Sequence, residues 1–394
     1  MSEPILVVCR KEVLENARDR RTLFSTLFFG PIFAPALFAV LINVTLSQSL
    51  AGVDQPIEIP IIGAEHAPNL TDFLERYGIE PAANGPESLD AARDAVTRGS
   101  HDVAIVIDPN YPDAFRAAGD ARVMLVVDRS QSRATATSQR VRAVLDAYAD
   151  QVGALRLQAR GLNPTVTRAV TIDELDVSTA AARSVLLLGM LTYFLLLATL
   201  AGGFYLAIDT TAGERERGSL EPLLTVPVAR ASLLLGKMAA TICYMLLSLA
   251  LTLVGFTIAL SFVPLEALGM RANFNAVVAA QIFLVLASFT PLGAAIMTLV
   301  ASYTRSYKEA QTYLTLVLLV PTLPLLLAGL LNVRPDFSLM WIPSLSQHLL
   351  VTELLKATPL SWPFAAVSAT GSLLLGGLIA ALAVRLYHRE TLLG

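Results

Sequence analysis

The chain has 394 residues, 54% of them hydrophobic and only 15% charged, with a formal net charge of −3 and a mean hydropathy of +0.60. A soluble domain carries about 25% charged residues, and here the charges cluster between long apolar runs, so the main solvent of this chain is lipid rather than water. No basic face of any size exists, which removes nucleic acid from the partners, and the two cysteines, Cys9 and Cys243, offer neither zinc spacing nor a disulfide framework.

In chain order, residues 1–21 predict a cytoplasmic interfacial helix, amphipathic over about 5–21, with Val8, Val13, Leu14 and Ala17 near one another. Six apolar stretches follow that are long enough to cross a hydrocarbon core of about 30 Å, which takes about 20 helical residues. They cover 22–46, 184–208, 233–262, 274–302, 310–331 and 364–386, and several contain proline (Pro31, Pro35, Pro291, Pro321, Pro324). The first has no small-residue cleavage site after it, so it reads as a span and not a signal peptide. Basic residues gather on one side, in the N-terminal flank (Arg10, Lys11, Arg18, Arg20, Arg21), after span two (Arg215, Arg217, Arg230, Lys237), and around Arg305, Lys308, Arg385 and Arg389. Arg271, Arg334 and Lys356 are left for the short loops opposite. Both termini are therefore expected in the cytoplasm.

Between spans one and two, residues 47–183 form a polar insert expected on the outer face. Runs at 57–62, 103–107 and 123–127 read as strands, and 88–98 and 138–158 as helices between turn signals such as Asn84-Gly85-Pro86 and Asp108-Pro109-Asn110-Tyr111-Pro112. It is long enough to bury its own core. His66 and His101 are isolated, and Asp128-Arg129-Ser130 reads better as a strand-end turn than as a site. The fold class expected is thus an all-α polytopic membrane protein of six transmembrane helices, with a large extracytoplasmic α/β domain inserted between helices 1 and 2.

The loop after span two reads Glu214-Arg215-Glu216-Arg217-Gly218-Ser219-Leu220-Glu221, continuing through Leu223-Leu224 to Pro227-Val228. Thr211 followed three residues later by Glu214 has the pattern of a capping box. A short helix is expected within 211–224, limited by Gly218 and Pro222, its Glu and Arg side chains facing cytosol or a protein groove. On composition alone it is a solvated connector whose charges set topology. On the outer side, Ser344 and Gln347 form a second capping-box pattern, opening a helix through Leu354 whose Leu345, Leu349 and Leu350 dip into the bilayer edge or pack on the spans.

The Glu-Arg-Glu-Arg-Gly-Ser-Leu-Glu motif resembles the signature of ABC-2-type exporter permeases, and in particular those similar to the NatB-type sodium-efflux permeases. Arg10-Lys11-Glu12 and Arg18-Asp19-Arg20-Arg21-Thr22 look like that family's connector helix, and Ile342-Pro343-Ser344-Leu345-Ser346-Gln347 resembles its segment before the last span. The resemblance implies a coupling helix in which Glu214, Arg215, Glu216, Arg217, Gly218, Ser219, Leu220 and Glu221 dock into a nucleotide-binding ATPase subunit. It also implies a permease dimer, most simply a homodimer, in a bacterial inner membrane and in contact with its lipids.

This chain has no phosphate loop of the form Gly-x-x-x-x-Gly-Lys-Ser/Thr, Gly236-Lys237 being the nearest fragment. No cofactor is expected on it, and ATP and Mg²⁺ would belong to the partner ATPase. No charged residue lies deep inside the six spans as drawn, which disfavours an ion-coupled secondary transporter. Polar candidates for a pathway are Asn43, Tyr193, Tyr205, Tyr244, Gln281 and Tyr313, each of which could equally bond a neighbouring helix. The competing reading is a membrane-anchored sensor or assembly protein whose outer domain binds a ligand without transport. The substrate, whether Na⁺, a drug, a peptide or a lipid-like molecule, stays open.

Overall fold

The computed structural model describes all residues except 1, 20–22, 55, 84, 129–131, 168–178, 181–183, 185–187, 220–221, 224, 264, 269–270, 332 and 388–394. Arg20, Arg21, Arg129, Ser130, Leu220, Glu221 and Arg389 therefore lie outside the described residues. The chain divides into two compact units, residues 1–46 with 177–394, and residues 47–176.

The first unit is a helical bundle. Helix α1 (Ser2–Asn16) precedes a π-helical stretch, Ser25–Phe33, built around Pro31 and running into α2 (Ala34–Asp54). The second unit, residues 47–176, has a parallel pair, β1 (Ile57–Ile59) with β3 (Ile79–Pro81), and a three-stranded sheet in the order β2-β4-β5. In that sheet β2 (Ile61–Ile62) pairs parallel with β4 (Val103–Ile107), and β4 pairs antiparallel with β5 (Val123–Val127). The strand expected over 57–62 is in fact two strands in two sheets. Pro60 has no N–H to donate and breaks the ladder there, while its carbonyl accepts from Ile105 N at 2.9 Å. Helices α3 (Pro68–Arg76), α4 (Leu89–Thr97), α5 (Tyr111–Arg116) and α6 (Ser132–Ala159) complete the unit. Ile59, Leu70, Leu74, Ile79, Ile105 and Val141 form its core. Helix α5 corrects the turn expected at Tyr111-Pro112: proline there occupies the helix's first turn, where its missing donor costs nothing.

The bundle continues with α7 (Leu191–Ile208), α8 (Arg230–Ser261), α9 (Ala276–Ala287) and α10 (Thr290–Tyr303), then α11 (Tyr307–Leu319) and α12 (Thr322–Leu331). It closes with α13 (Leu345–Leu355) and α14 (Trp362–Tyr387). Among the described residues, four helices are long and apolar enough to cross a membrane: Leu191–Glu216, Arg230–Ser261, Ala276–Tyr303 and Trp362–Tyr387. The first and fifth expected spans are helical but interrupted. One carries the π stretch at Pro31, and the other breaks between Leu319 and Thr322, at Pro321. Proline removes a backbone donor and clashes with the preceding turn, so both breaks fall where the residue type requires them.

Phe38 of α2 packs edge-on against Phe256 of α8, with ring centroids 5.3 Å apart, and against Phe194 of α7 at 5.9 Å. Ser248 Oγ of α8 donates to Ala198 O of α7 at 2.9 Å, a buried interhelical bond of the kind that holds helices together in lipid.

Candidate functional site

Helix α7 does not stop where the charged motif begins. It widens into a π turn, Asp209–Gly213, and resumes as one α turn, Glu214–Glu216. Thr210 Oγ1 donates to Leu206 O at 2.8 Å and Thr211 Oγ1 to Ala207 O at 2.5 Å, both buried. Thr211 is thus inside a helix, bonded back to its own preceding turn, and the capping box expected with Glu214 does not form. The short separate helix expected to start there is a continuation of span two. It ends at Gly218, whose φ of 67° is left-handed. Gly218 N donates to Arg215 O and Ser219 N to Glu214 O, each at 3.0 Å, the paired bonds of a Schellman cap.

The charges that follow run from buried Glu214 through half-buried Arg215 to exposed Glu216 and Arg217, and each is bonded to the bundle. Glu214 is 7% exposed, and its carboxylate accepts from the ammonium of Lys237, which is 1% exposed in the third turn of α8. Lys237 Nζ also donates to Thr210 O in the π turn at 2.7 Å. Lys237, counted in the sequence with the basic flank of span three, is packed inside the bundle rather than solvated; a buried ammonium survives because a carboxylate and a carbonyl replace its water. Arg215 Nη1 donates to Thr304 O at 2.6 Å and Nη2 to Ser302 O at 2.7 Å, a cation set on the C-terminal carbonyls of α10. Glu216 Oε2 accepts from Tyr307 N at 2.6 Å, an anion at the N-terminus of α11. Arg217 Nη1 donates to Asp209 Oδ1 at 2.9 Å, the more exposed pair of the set. Of the remaining residues of the motif, Gly218 and Ser219 are exposed, as are Pro222 and Thr225 to Pro227.

Helix α1 completes this joint. Its packed face carries Glu12 and Asn16, each 3% exposed, while Leu6, Val7 and Leu14 are exposed. Leu14 and Ala17 therefore do not share the packed face with Val8 and Val13, as the sequence had suggested. Gly236 permits the docking: a Cβ there would meet Val8 Cβ at 2.6 Å and Ile5 O at 3.0 Å. Burial pushes the Glu12 carboxyl above its ordinary value, partly offset by Lys11, whose ammonium is 3.1 Å away, and by the charge of Lys237. Cys9 and Cys243, far apart in sequence, are neighbours here, and burial followed by the Cys243 thiol raises the Cys9 thiol.

The pathway candidates do not converge. Tyr244 Oη donates to Val13 O at 3.3 Å, an interhelical bond, and Asn43 Nδ2 to Ala39 O within its own helix at 3.0 Å. Tyr205 rests edge-on against Phe204. Gln281 is half-buried and Tyr313 exposed. Tyr193 lines a cavity of about 1410 Å³ and is the one member of the six among its lining residues. The residues of this joint whose pairing sequence reasoning did not foresee are Lys237, Glu12 and Asp209. For Lys237 a signal existed, since an ionisable residue within an apolar run is a functional candidate by default.

The Ser344 capping box does form. Ser344 N donates to Gln347 Oε1 at 2.7 Å. Gln347 Nε2 donates to Ser368 Oγ at 3.1 Å and Ser372 Oγ at 2.9 Å, both on α14.

A family model described as "ABC-2 family transporter protein" matches residues 20–385. The chain is 25% identical over 363 residues, 88% of its own length and 89% of the relative's, to the ABC transporter permease protein NatB of Bacillus subtilis (strain 168).

Proposed function

The chain belongs to the ABC-2 family of transporters, and from that premise we propose that this integral membrane permease exports a substrate, driven by ATP hydrolysed with Mg²⁺ on a separate subunit. In this reading six spans cross a bacterial inner membrane with both termini cytoplasmic and residues 47–176 outside. A second copy completes the permease, and the exposed tip after Gly218 docks on the ATPase. The observation that supports it best is the anchoring of the motif. Lys237, the carbonyls of Ser302 and Thr304, the Tyr307 amide and Asp209 tie Glu214 to Arg217 to spans two, three, four and five. A push on the exposed tip would reach four spans through charge-assisted bonds, which are short and orientation-specific. Glu214 and Arg215 then hold the lever from inside, while Arg217, Gly218 and Ser219, followed by Leu220 and Glu221, carry the contact itself.

Arg217→Glu tests this. Arg217 is exposed, so the spans stay inserted; losing a charge contact across a desolvated interface costs about 2–5 kcal/mol, a loss of tens to thousands of fold in ATPase-subunit affinity. Pull-down and substrate-stimulated hydrolysis in the reconstituted complex measure it. Wild-type values in both would remove the loop from the contact. The competing sensor reading draws on a cavity of about 480 Å³ within residues 47–176, lined by Phe73, Arg76, Phe115, Tyr148 and Arg156 among others. Failure of any ATPase subunit to co-purify would favour it.

Sodium efflux is one substrate proposal for this chain, drawn from the resemblance of its charged motif to NatB-type permeases, and the cavity in the bundle bears on it.

A further inference from the structure

The cavity of about 1410 Å³ lies where the start of α7, the end of α11, α12, one face of α13 and the start of α14 meet. It is larger than the roughly 300–1,000 Å³ of a drug-sized pocket. Phe194, Leu319, Leu325, Leu350, Leu360 and Phe364 supply apolar wall. Two features depart from a plain apolar void. His348 and Thr352, one helical turn apart on α13, both line it, and His348 Nδ1 and Thr352 Oγ1 are buried with no hydrogen-bond partner among the described residues. Each such orphan destabilises the fold unless something enters to meet it. The other feature is charge: the lining holds Arg334, Lys356 and one carboxylate, Glu353, which Lys356 already pairs at 2.8 Å. The rim is left with one uncompensated cation.

We propose that this cavity binds an amphiphile with an acyl-like tail and an oxyanion head, the tail against the leucine and phenylalanine wall and the head toward Arg334, Lys356 and the orphaned atoms of α13. The inference rests on the permease reading and gives that permease its substrate class. It also argues against a bare cation as cargo, because the one carboxylate among the described lining residues is spent on a lysine.

Native mass spectrometry of the purified full chain, released from neutral detergent, tests it without the ATPase. The probes are a fatty acid, a lysophosphatidate, a monoacylglycerol and an acyl-choline carrying the same chain. The two anions are expected to be retained about tenfold better than the neutral probe, as one charged hydrogen bond provides. The ratio of fatty acid to lysophosphatidate then says whether carboxylate or phosphate is preferred. Arg334→Gln with Lys356→Gln, both on a solvated rim, should abolish the anion preference at an unchanged melting temperature. Leu325→Trp, which fills the cavity, should lower retention of anion and neutral alike. Equal retention of all four probes, or retention untouched by Leu325→Trp, would mean annular lipid only and overturn the proposal. Because binding needs no partner, a failure here with an intact ATPase pull-down sinks the substrate class alone.

Discussion

Near the end of α14 the bundle is joined by charges, Glu214 with Lys237 and Arg215 with two carbonyls. Near the start of the same helix it is joined by an amide and hydroxyls, Gln347 with Ser346, Ser368 and Ser372. Both clusters are buried, yet they serve different geometry. The charged joint reaches helix ends, where carbonyls and amides lack intrahelical partners and the dipole favours a countercharge. The amide joint caps the start of α13 through Ser344 N and then crosses to hydroxyls on the side of α14, and it is neutral.

The largest way to break that comparison is to remove one charge. Lys237→Met leaves Glu214 buried without its counter-ion and should destabilise by about 3–5 kcal/mol, whereas Lys237→Met with Glu214→Leu should recover most of it. Reversible unfolding in detergent measures both, and a single-variant loss within about 0.5 kcal/mol would mean that water reaches Glu214. Next in size is Gln347→Leu, which orphans the Ser344 amide and removes the amide donor of Ser368 and Ser372, and should cost about 1–3 kcal/mol by the same measurement. If it matches the lysine variant, the distinction between ionic and neutral joints fails. The smallest effect belongs to Glu12. Its folded carboxyl is raised above the unfolded one, so the folded state holds the proton longer, and α1 docking should weaken as pH rises from the ordinary carboxylate value through the raised one. Hydrogen exchange of the α1 amides, corrected for intrinsic rates, should show that slope in the wild type and none in Glu12→Gln.

The two capping-box patterns show what could be read from sequence. Ser344 follows Pro343, which cannot extend a helix into it, so its side chain is available to begin one. Thr211 follows an unbroken apolar helix, and the same pattern of residues is absorbed by bonds to the preceding turn. The strands at Val103–Ile107 and Val123–Val127 were legible because each is an apolar run bounded by turns. Ile79–Pro81 was not, being three residues long with Glu80 and Pro81 in it. In the charged motif, the residue types were legible and their partners were not, because three of the partners are backbone groups far along the chain, which no side-chain pattern announces.

The π turn at Asp209–Gly213 has a consequence for how such a chain can change. A π turn is an α-helix with one residue too many, and each residue turns the helix by about 100°. Because the π turn already holds one residue more than an α turn, deleting one residue there returns the segment to α-helix and leaves the motif near its present face, with Glu214 still directed at Lys237. The same deletion in the α-helical stretch on either side would rotate the charges that follow by about 100°. The π turn is therefore the one place where this segment can absorb a change of length.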